Sequence, residues 1–420
     1  MLKGGSIFYA LAIATIIGIL TSSIILCAYY SRLRTQRDET SERLDRNAIS
    51  GISLLMGDSS SAQYDSQISL DLFGHGKDSV DLLKKSWGAF DICICKAHTG
   101  KQHNVRIAQA GCLPNKDDRT ALVLEEMDKP LSICGSVLLK GTCYLPRAGV
   151  KRAYIEGQSY SGDQLVYGNV IDADHSLPAY NEQLAENIDA LFEFDPATID
   201  SVENISELTA EGSIHNSFLN KTLFFHANGR LSINKDLSGN ICILSASEID
   251  IEKNAVLTNV ILAAPYIMIH EGVKGYFQAF ARDSMAIEKK TKLDYPTVLG
   301  LIADERSPDV AHLHIGEGSC ISGEVFACSI SKDYRKNVFI HIDKDALITG
   351  EVYSAGIIDH KGEADGTVVC TKFDLITSSA EYENALLDAV IDRSKLPDGF
   401  VSSALVQRKR SLKSTIQWLK

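Results

Sequence analysis

His312 and His314 stand two positions apart in the apolar run VAHLHI, and His341 falls one repeat later, at the place of His314. On a strand, alternate side chains share a face, so the three imidazoles would form one polar row. Neutral imidazole ligates zinc, copper or nickel, which makes His312, His314 and His341 the candidates for a metal site. The plainer meaning of such a row is a satisfied polar ladder, and no metal or other cofactor is expected. Asp294, Asp304, Glu305 and Arg306 fall in the segment Lys292 to Pro308. That segment reads as a break between strands, and it is the candidate binding loop. Glu324 and Glu351 sit at equivalent positions of a repeat, and repetition points to architecture, because catalytic carboxylates are usually unique in their chain. The chain contains no G-x-S-x-G, Walker A, G-x-G-x-x-G or H-E-x-x-H motif, so it reads as a non-enzyme with no catalytic residues to name.

The ten cysteines include no C-x-x-C pair and show no regular spacing. Small buried hydrophobes are the expectation for them. Cys93 and Cys95 flank Ile94 and would face one side of a strand; if the domain is exported, Cys134 and Cys143 are the pair to test for a bridge. The formal charge of −12 excludes nucleic acid as a partner, since phosphate binding needs a basic face. With only 2 tryptophans the chain is poorly equipped for stacking on sugars.

These residues must be held by something, and the N-terminal stretch shows where the chain is held. Ser6 to Tyr30 run without a charge, longer than the roughly 20 residues that cross a bilayer. Tyr29 and Tyr30 stand at one end, where amphipathic rings favour the interface. No small-x-small cleavage site follows, so the segment reads as a transmembrane helix, with the bilayer as partner through residues 6–30. The polar stretch Ser31 to Arg46 continues it as a helical stalk or solvated linker, and Ile49, Ile52 and Leu55 extend an apolar edge at helical spacing. Arg32, Arg34 and Arg37 follow the span, which by the positive-inside rule would keep the large domain in the cytoplasm.

The start, MLKGGSIFYALAIATIIGIL, resembles the N-terminus of type IV pilin-like proteins: a tiny basic leader, Gly4 and Gly5, then an unbroken apolar helix. The resemblance implies that the leader stays cytoplasmic and the remainder faces outward. It departs from the family at the fifth position after Gly5, where Ala10 replaces the family's glutamate. Charge and resemblance thus assign opposite sides. The expectation is a single-pass protein of the inner membrane with its large domain periplasmic or external, a cytoplasmic placement staying open.

Beyond the anchor, ISLDLFGHGKDSV, FDICICKAH, TALVLEE and LSICGSVLLKG carry strand signals bounded by Gly, Asp or Asn. YNEQLAENIDALFEF, Tyr180 to Phe194, has Leu184, Ile188 and Leu191 on one helical face. The second half repeats itself. Ile249-Asp-Ile251, Ile267-Met-Ile269 and Met285-Ala-Ile287 recur at one fixed period, and at a longer one LHIGEGSCISGEVF (Leu313 to Phe326) aligns with IHIDKDALITGEVY (Ile340 to Tyr353). One rung of this kind cannot bury its inward pair, whereas stacked rungs can, so the repeat predicts a parallel β-solenoid. Leu313 to Phe373 resembles the bactofilin, or polymer-forming cytoskeletal, repeat, which implies an end-to-end scaffold. Tyr382, Leu386, Ala389 and Val390 have helical spacing before Pro397 and predict a C-terminal helix capping the last rung.

The expected fold is mainly β: a transmembrane anchor (1–30), a helical stalk or linker (31–60), a β-rich domain admitting first solenoid turns (61–177), a helical insertion (178–212), a parallel β-solenoid (213–376), and a C-terminal helical cap with a basic tail (377–420). The function expected is that of a structural or assembly protein of the bacterial envelope, a minor pilin-like subunit that meets protein partners or copies of itself. A bactofilin-like membrane-attached scaffold is the first alternative and a polysaccharide-binding or -cleaving β-helix the second.

Overall fold

The computed structural model describes residues 5–57, 64–74, 76–115, 117–193, 202–203, 208, 212–330, 337–407 and 412–419. Lys3 and Gly4 of the leader, Phe194, and the basic residues Arg408 to Arg410 lie outside the described residues. The protein is mainly β after one long N-terminal helix. The chain divides into two compact units, Met1–Lys84 with Cys93–Ile107, and Lys85–Ile92 with Ala108–Lys420.

The first unit is built on that helix, α1 (Gly5–Met56), which runs unbroken for 52 residues. Its buried residues are all in the last third: Leu44, Asn47, Ala48, Gly51, Ile52 and Leu55. This face differs from the expected edge, because Ile49 is 40% exposed and the small residues Ala48 and Gly51 take part instead. Smallness matters there, since a Cβ on Gly51 would lie 2.4 Å from the Cys95 Sγ. The partner surface is a sheet of β1 (Ile68–Leu70), β2 (Ser79–Trp87), β3 (Phe90–Thr99) and β4 (Gln102–Leu113) in that order. β1 is antiparallel to β2, and the short connections β2–β3 and β3–β4 can only join antiparallel strands. Cys93, Cys95 and Ala97 alternate along β3 and are fully buried. Ion pairs reinforce the helix–sheet contact: the Arg43 guanidinium reaches Asp78 at 2.7 Å, and Arg106 reaches Asp45 at 2.5 Å.

Between Thr120 and Asp392 most strands close on one another in one almost wholly parallel array. Ile233, Ile251, Ile269, Ile287, Ile315 and Ile342 are consecutive register partners, each with at most 1% exposure. The shorter repeat is therefore the distance along the chain from one layer to the next. The longer repeat is too: Ile321 pairs with Ile348, Gly323 with Gly350, Glu324 with Glu351 and Val325 with Val352. Gly350 shows why the repeat keeps glycine. It takes a φ of +149°, and a Cβ there would lie 1.8 Å from the Gly323 carbonyl oxygen in the layer beneath.

The layers are not in chain order throughout. Val368 pairs with Leu122, Leu122 with Cys143, and Cys143 with Val170, so residues 120–172 stack onto 363–376. The helix α2 (Glu182–Asp189), started by the Asn181 side chain accepting from the Leu184 N–H, lies on the stretch that joins the two ends of this order. Within the second unit, Leu412–Leu419 lies beside β4 at Gln109. Gln417 there donates to Gln109 at 2.6 Å.

The C-terminal helical cap is not formed. Glu381–Glu383, Ala385–Leu387 and Val390–Asp392 are strands, followed by one 3-10 turn, Arg393–Lys395. The reason is pairing: Ala385, Leu386 and Leu387 find Ser132, Ile133 and Cys134 in register, and this ladder overrides a helical spacing that had only a few apolar side chains to offer.

Candidate functional site

The three candidate histidines do form a row, with a geometry suited to protons. His314 and His341 are register partners, and the His314 Nε2 lies 2.9 Å from Asp343 Oδ2. The close imidazole contact is a different one, His312 Nδ1 to His341 Nε2 at 3.3 Å. Their ring centroids are 5.4 Å apart with planes inclined at 23°, so the two nitrogens face each other nearly along the line between the rings. That is the alignment of one N–H donating to one lone pair; two ligands on a metal would converge on a third point ~2 Å from each. Phe339 stacks on His341 at 4.1 Å. Burial, and then the His341 charge, hold the His312 imidazole below its ordinary pKa. Among the described residues no group of three or more His, Cys, Asp or Glu converges as a metal site would require.

The segment of Asp294, Asp304, Glu305 and Arg306 is placed differently from the expectation. Lys292–Ala303 is a strand rather than a break between rungs. Asp294 is exposed near its start, whereas Asp304, Glu305 and Arg306 follow its end, so the four do not form one loop. Asp304 is 7% exposed and is enclosed by cations. Arg306 Nε donates to it at 2.8 Å, and Arg282 Nε lies 3.2 Å away. Burial pushes the Asp304 carboxyl up, but the hydrogen bonds and charge of Arg306 with the charge of Arg282 outweigh it, and the pKa ends below the ordinary value. Arg306 also pairs with Glu193, and Arg282 reaches Asp189 at 3.4 Å while lying over the Phe192 ring. The cluster thus fastens the segment after α2 to the wall of the array. Asp189, more buried than helped by Arg282, has its pKa raised.

Glu324 and Glu351 are 2% exposed. Glu324 accepts the Ser403 N–H at 2.9 Å, which makes it an anchor for the outgoing chain. All ten cysteines carry free thiols, Cys134 and Cys143 included, so the bridge between them is not formed. The Cys134 thiol instead donates to the Gln158 carbonyl at 3.0 Å, and Cys143 stacks inward between Leu122 and Val170, its thiol pKa pushed up to about 12 by burial.

Sequence reasoning missed one feature. A cavity of about 640 Å³ opens beside the chain at Val406, lined also by Asp118, Tyr144, Asp174 and Glu351. Its walls come from distant segments that share no motif, so no pattern along the chain could announce it.

Among the described residues, exposed large hydrophobic side chains are concentrated on α1. From Ser6 to Tyr30 every residue except Ala12 is exposed, including Ile7, Phe8 and Leu11, each exposed by about two thirds. By length and composition this helix is able to cross a membrane. At a rise of ~1.5 Å per residue the uncharged run reaches ~37 Å, more than a hydrocarbon core of ~30 Å.

No family model and no curated protein matches the chain. Among solved structures it is similar to the competence-associated pilin ComZ from Thermus thermophilus, at 10% identity and a TM-score of 0.25, covering 92% of this chain and 96% of that one.

Proposed function

We propose that the chain is a membrane-anchored, pilin-like assembly subunit of the bacterial envelope, and that its parallel array is a β-solenoid serving as a cap or recognition body. One observation carries this reading: a single helix bare and apolar over residues 6–30 yet buried along one face at Leu44, Ala48, Ile52 and Leu55. A membrane tether alone needs no such rigid joint. A helix that must enter a bundle of other helices with its cargo does, because an unbroken hydrogen-bonded rod holds the sheet packed on its end at a fixed height. The apolar half is satisfied first by lipid and then, on assembly, by neighbouring apolar helices, where van der Waals packing replaces lipid contact.

In this reading the large domain faces outward and Arg32, Arg34 and Arg37 cross with it. A reporter fused after Lys420 tests that directly: activity only in an exported form is expected. Activity only in the cytoplasm overturns the pilin-like reading and leaves the membrane-attached scaffold. The layered registry of the array supports the solenoid description, since both repeats in the sequence coincide with successive layers.

A further inference from the structure

The uncharged run of α1 is longer than the layer it would cross. Its reach of ~37 Å exceeds a hydrocarbon core of ~30 Å, so apolar burial alone leaves the depth of the helix open by about five residues. Something at one end must choose among these depths. Tyr29 and Tyr30 are exposed there and favour the interface. Just beyond them stand Arg32, Arg34 and Arg37, followed by Asp38, Glu39 and Glu42, and all six are exposed. The three arginines make no ion pair among the described residues. Arg34 and Asp38 are four apart, but helical side chains lean toward the helix N-terminus. A base placed four residues before an acid therefore reaches away from it, the weaker order for a helical pair. Here that direction is toward the apolar span. Farther along, the charges are taken up within the chain: Arg43 by Asp78, and Asp45 by Arg106.

We propose that Arg32, Arg34 and Arg37 bind the phosphate groups of anionic phospholipids and thereby set the depth of the helix in the membrane. The proposal rests on the reading of α1 as a membrane-spanning helix given above. With Tyr30 at the edge of the core, Arg32 and Arg34 stand ~3 and ~6 Å beyond it, inside a headgroup layer about 5–8 Å deep. Arg37 stands ~10 Å out, and its long side chain reaches back into that layer. The acids begin with Asp38 at ~12 Å, where the layer has ended. The helix thus changes sign where the phosphates stop. Sliding inward by a turn would push arginines into hydrocarbon and acids among phosphates; sliding outward would draw the arginines off into water. A guanidinium fork matches phosphate oxygens in pairs. Choline headgroups also carry phosphate but cancel its charge, so the field that holds the arginines belongs to lipids of net negative charge. Because α1 is unbroken from Gly5 to Met56, fixing its depth also fixes the height above the membrane of the sheet packed at Leu44, Ala48, Ile52 and Leu55.

Cys27, the one exposed cysteine, lies close to the arginines along the helix and carries a fluorophore for the measurement. The full-length labelled chain is reconstituted in phosphatidylcholine vesicles containing the same small fraction of spin-labelled phosphatidylglycerol or of spin-labelled phosphatidylcholine. Quenching then gives the relative association of the two lipids with the helix. Phosphatidylglycerol should associate at least roughly threefold more strongly at low salt, and about 0.5 M NaCl should bring the ratio close to one by screening. Arg32→Gln, Arg34→Gln and Arg37→Gln together should abolish the preference, whereas Arg32→Lys, Arg34→Lys and Arg37→Lys should keep at least half of it. Neutralising the acids (Asp38→Asn, Glu39→Gln, Glu42→Gln) should leave it at least as large. A ratio near one for the unaltered chain overturns the proposal. So does a preference that survives the glutamine substitutions, or one lost equally with lysine. A chain that fails to float with vesicles of either composition sinks the anchor reading itself, and the depth proposal with it; a chain that floats without lipid preference leaves the anchor standing.

Discussion

The helix–sheet unit and the parallel array solve the same problem, the burial of apolar surface, in opposite ways. The array buries almost everything within itself: its inward positions repeat layer after layer, and each layer supplies the missing contacts of its neighbours. The helix–sheet unit buries one face of the last third of α1 and leaves the first half bare. A self-sufficient body and an unsatisfied rod on one chain imply different partners. The array's apolar interior is covered by its own layers, whereas the apolar half of the rod is exposed. The contrast also separates two kinds of charge. Buried charges of the array, such as Asp304 with Arg282, hold parts of one chain together, whereas Arg32, Arg34, Arg37, Asp38 and Glu39 of α1 are exposed to solvent.

The largest effect that could break this comparison is on location. Removing residues 6–30 should release the chain completely from the membrane fraction while the array's thermal midpoint shifts by no more than about 2 °C, because no contact inside the array is lost. A large fall in the midpoint would show that the rod stabilises the array. Within the array, Gly350→Ala must place a methyl group against the Gly323 carbonyl at a left-handed φ, and about 4 kcal/mol of stability should be lost in denaturant titration, the sum of overpacking and backbone strain. Gly18→Ala on the bare rod meets nothing within 4 Å and should leave stability unchanged in the same titration.

Ile52→Ala is the matching probe of the helix–sheet unit. A fully buried aliphatic costs about 3 kcal/mol on truncation. If the units unfold separately, the loss should fall on the first unit's transition only; equal losses in both transitions would end the distinction between them. Acid sharpens the comparison further. His360 is buried in the array, its pKa lowered to about 4 mainly by desolvation. The unfolded chain takes up this proton below its ordinary value near 6.5 and the folded chain only below about 4. Stability from this group is thus lost as pH falls from about 6.5 to 4, by about 3 kcal/mol at most. His360→Asn should flatten that part of the array's pH–stability curve; an unaltered slope would assign it elsewhere. Smallest of all, Arg43→Ala removes a half-exposed ion pair with Asp78, and a loss of about 0.5 kcal/mol is expected for the first unit by chemical denaturation.

The stretch free of charge, the two repeats, and the aligned pairs Ile315 with Ile342 and Gly323 with Gly350 were legible along the chain, because periodicity is imposed locally: each strand must turn its own aliphatics inward, and each layer must do so at the same phase. The helix of residues 182–189 was visible for the same reason. What the sequence could not determine was which distant segments meet. That 120–172 stack upon 363–376, that 381–392 pair as strands instead of forming a helix, that Asp304 is enclosed by Arg282 and Arg306 rather than open in a loop, and that the close imidazole pair is His312 with His341 all depend on contacts between separate segments, some more than half the chain apart. Backbone pairing and charge burial are settled by what lies alongside in space, and a pattern read along one chain carries the phase of a segment without the identity of its neighbour.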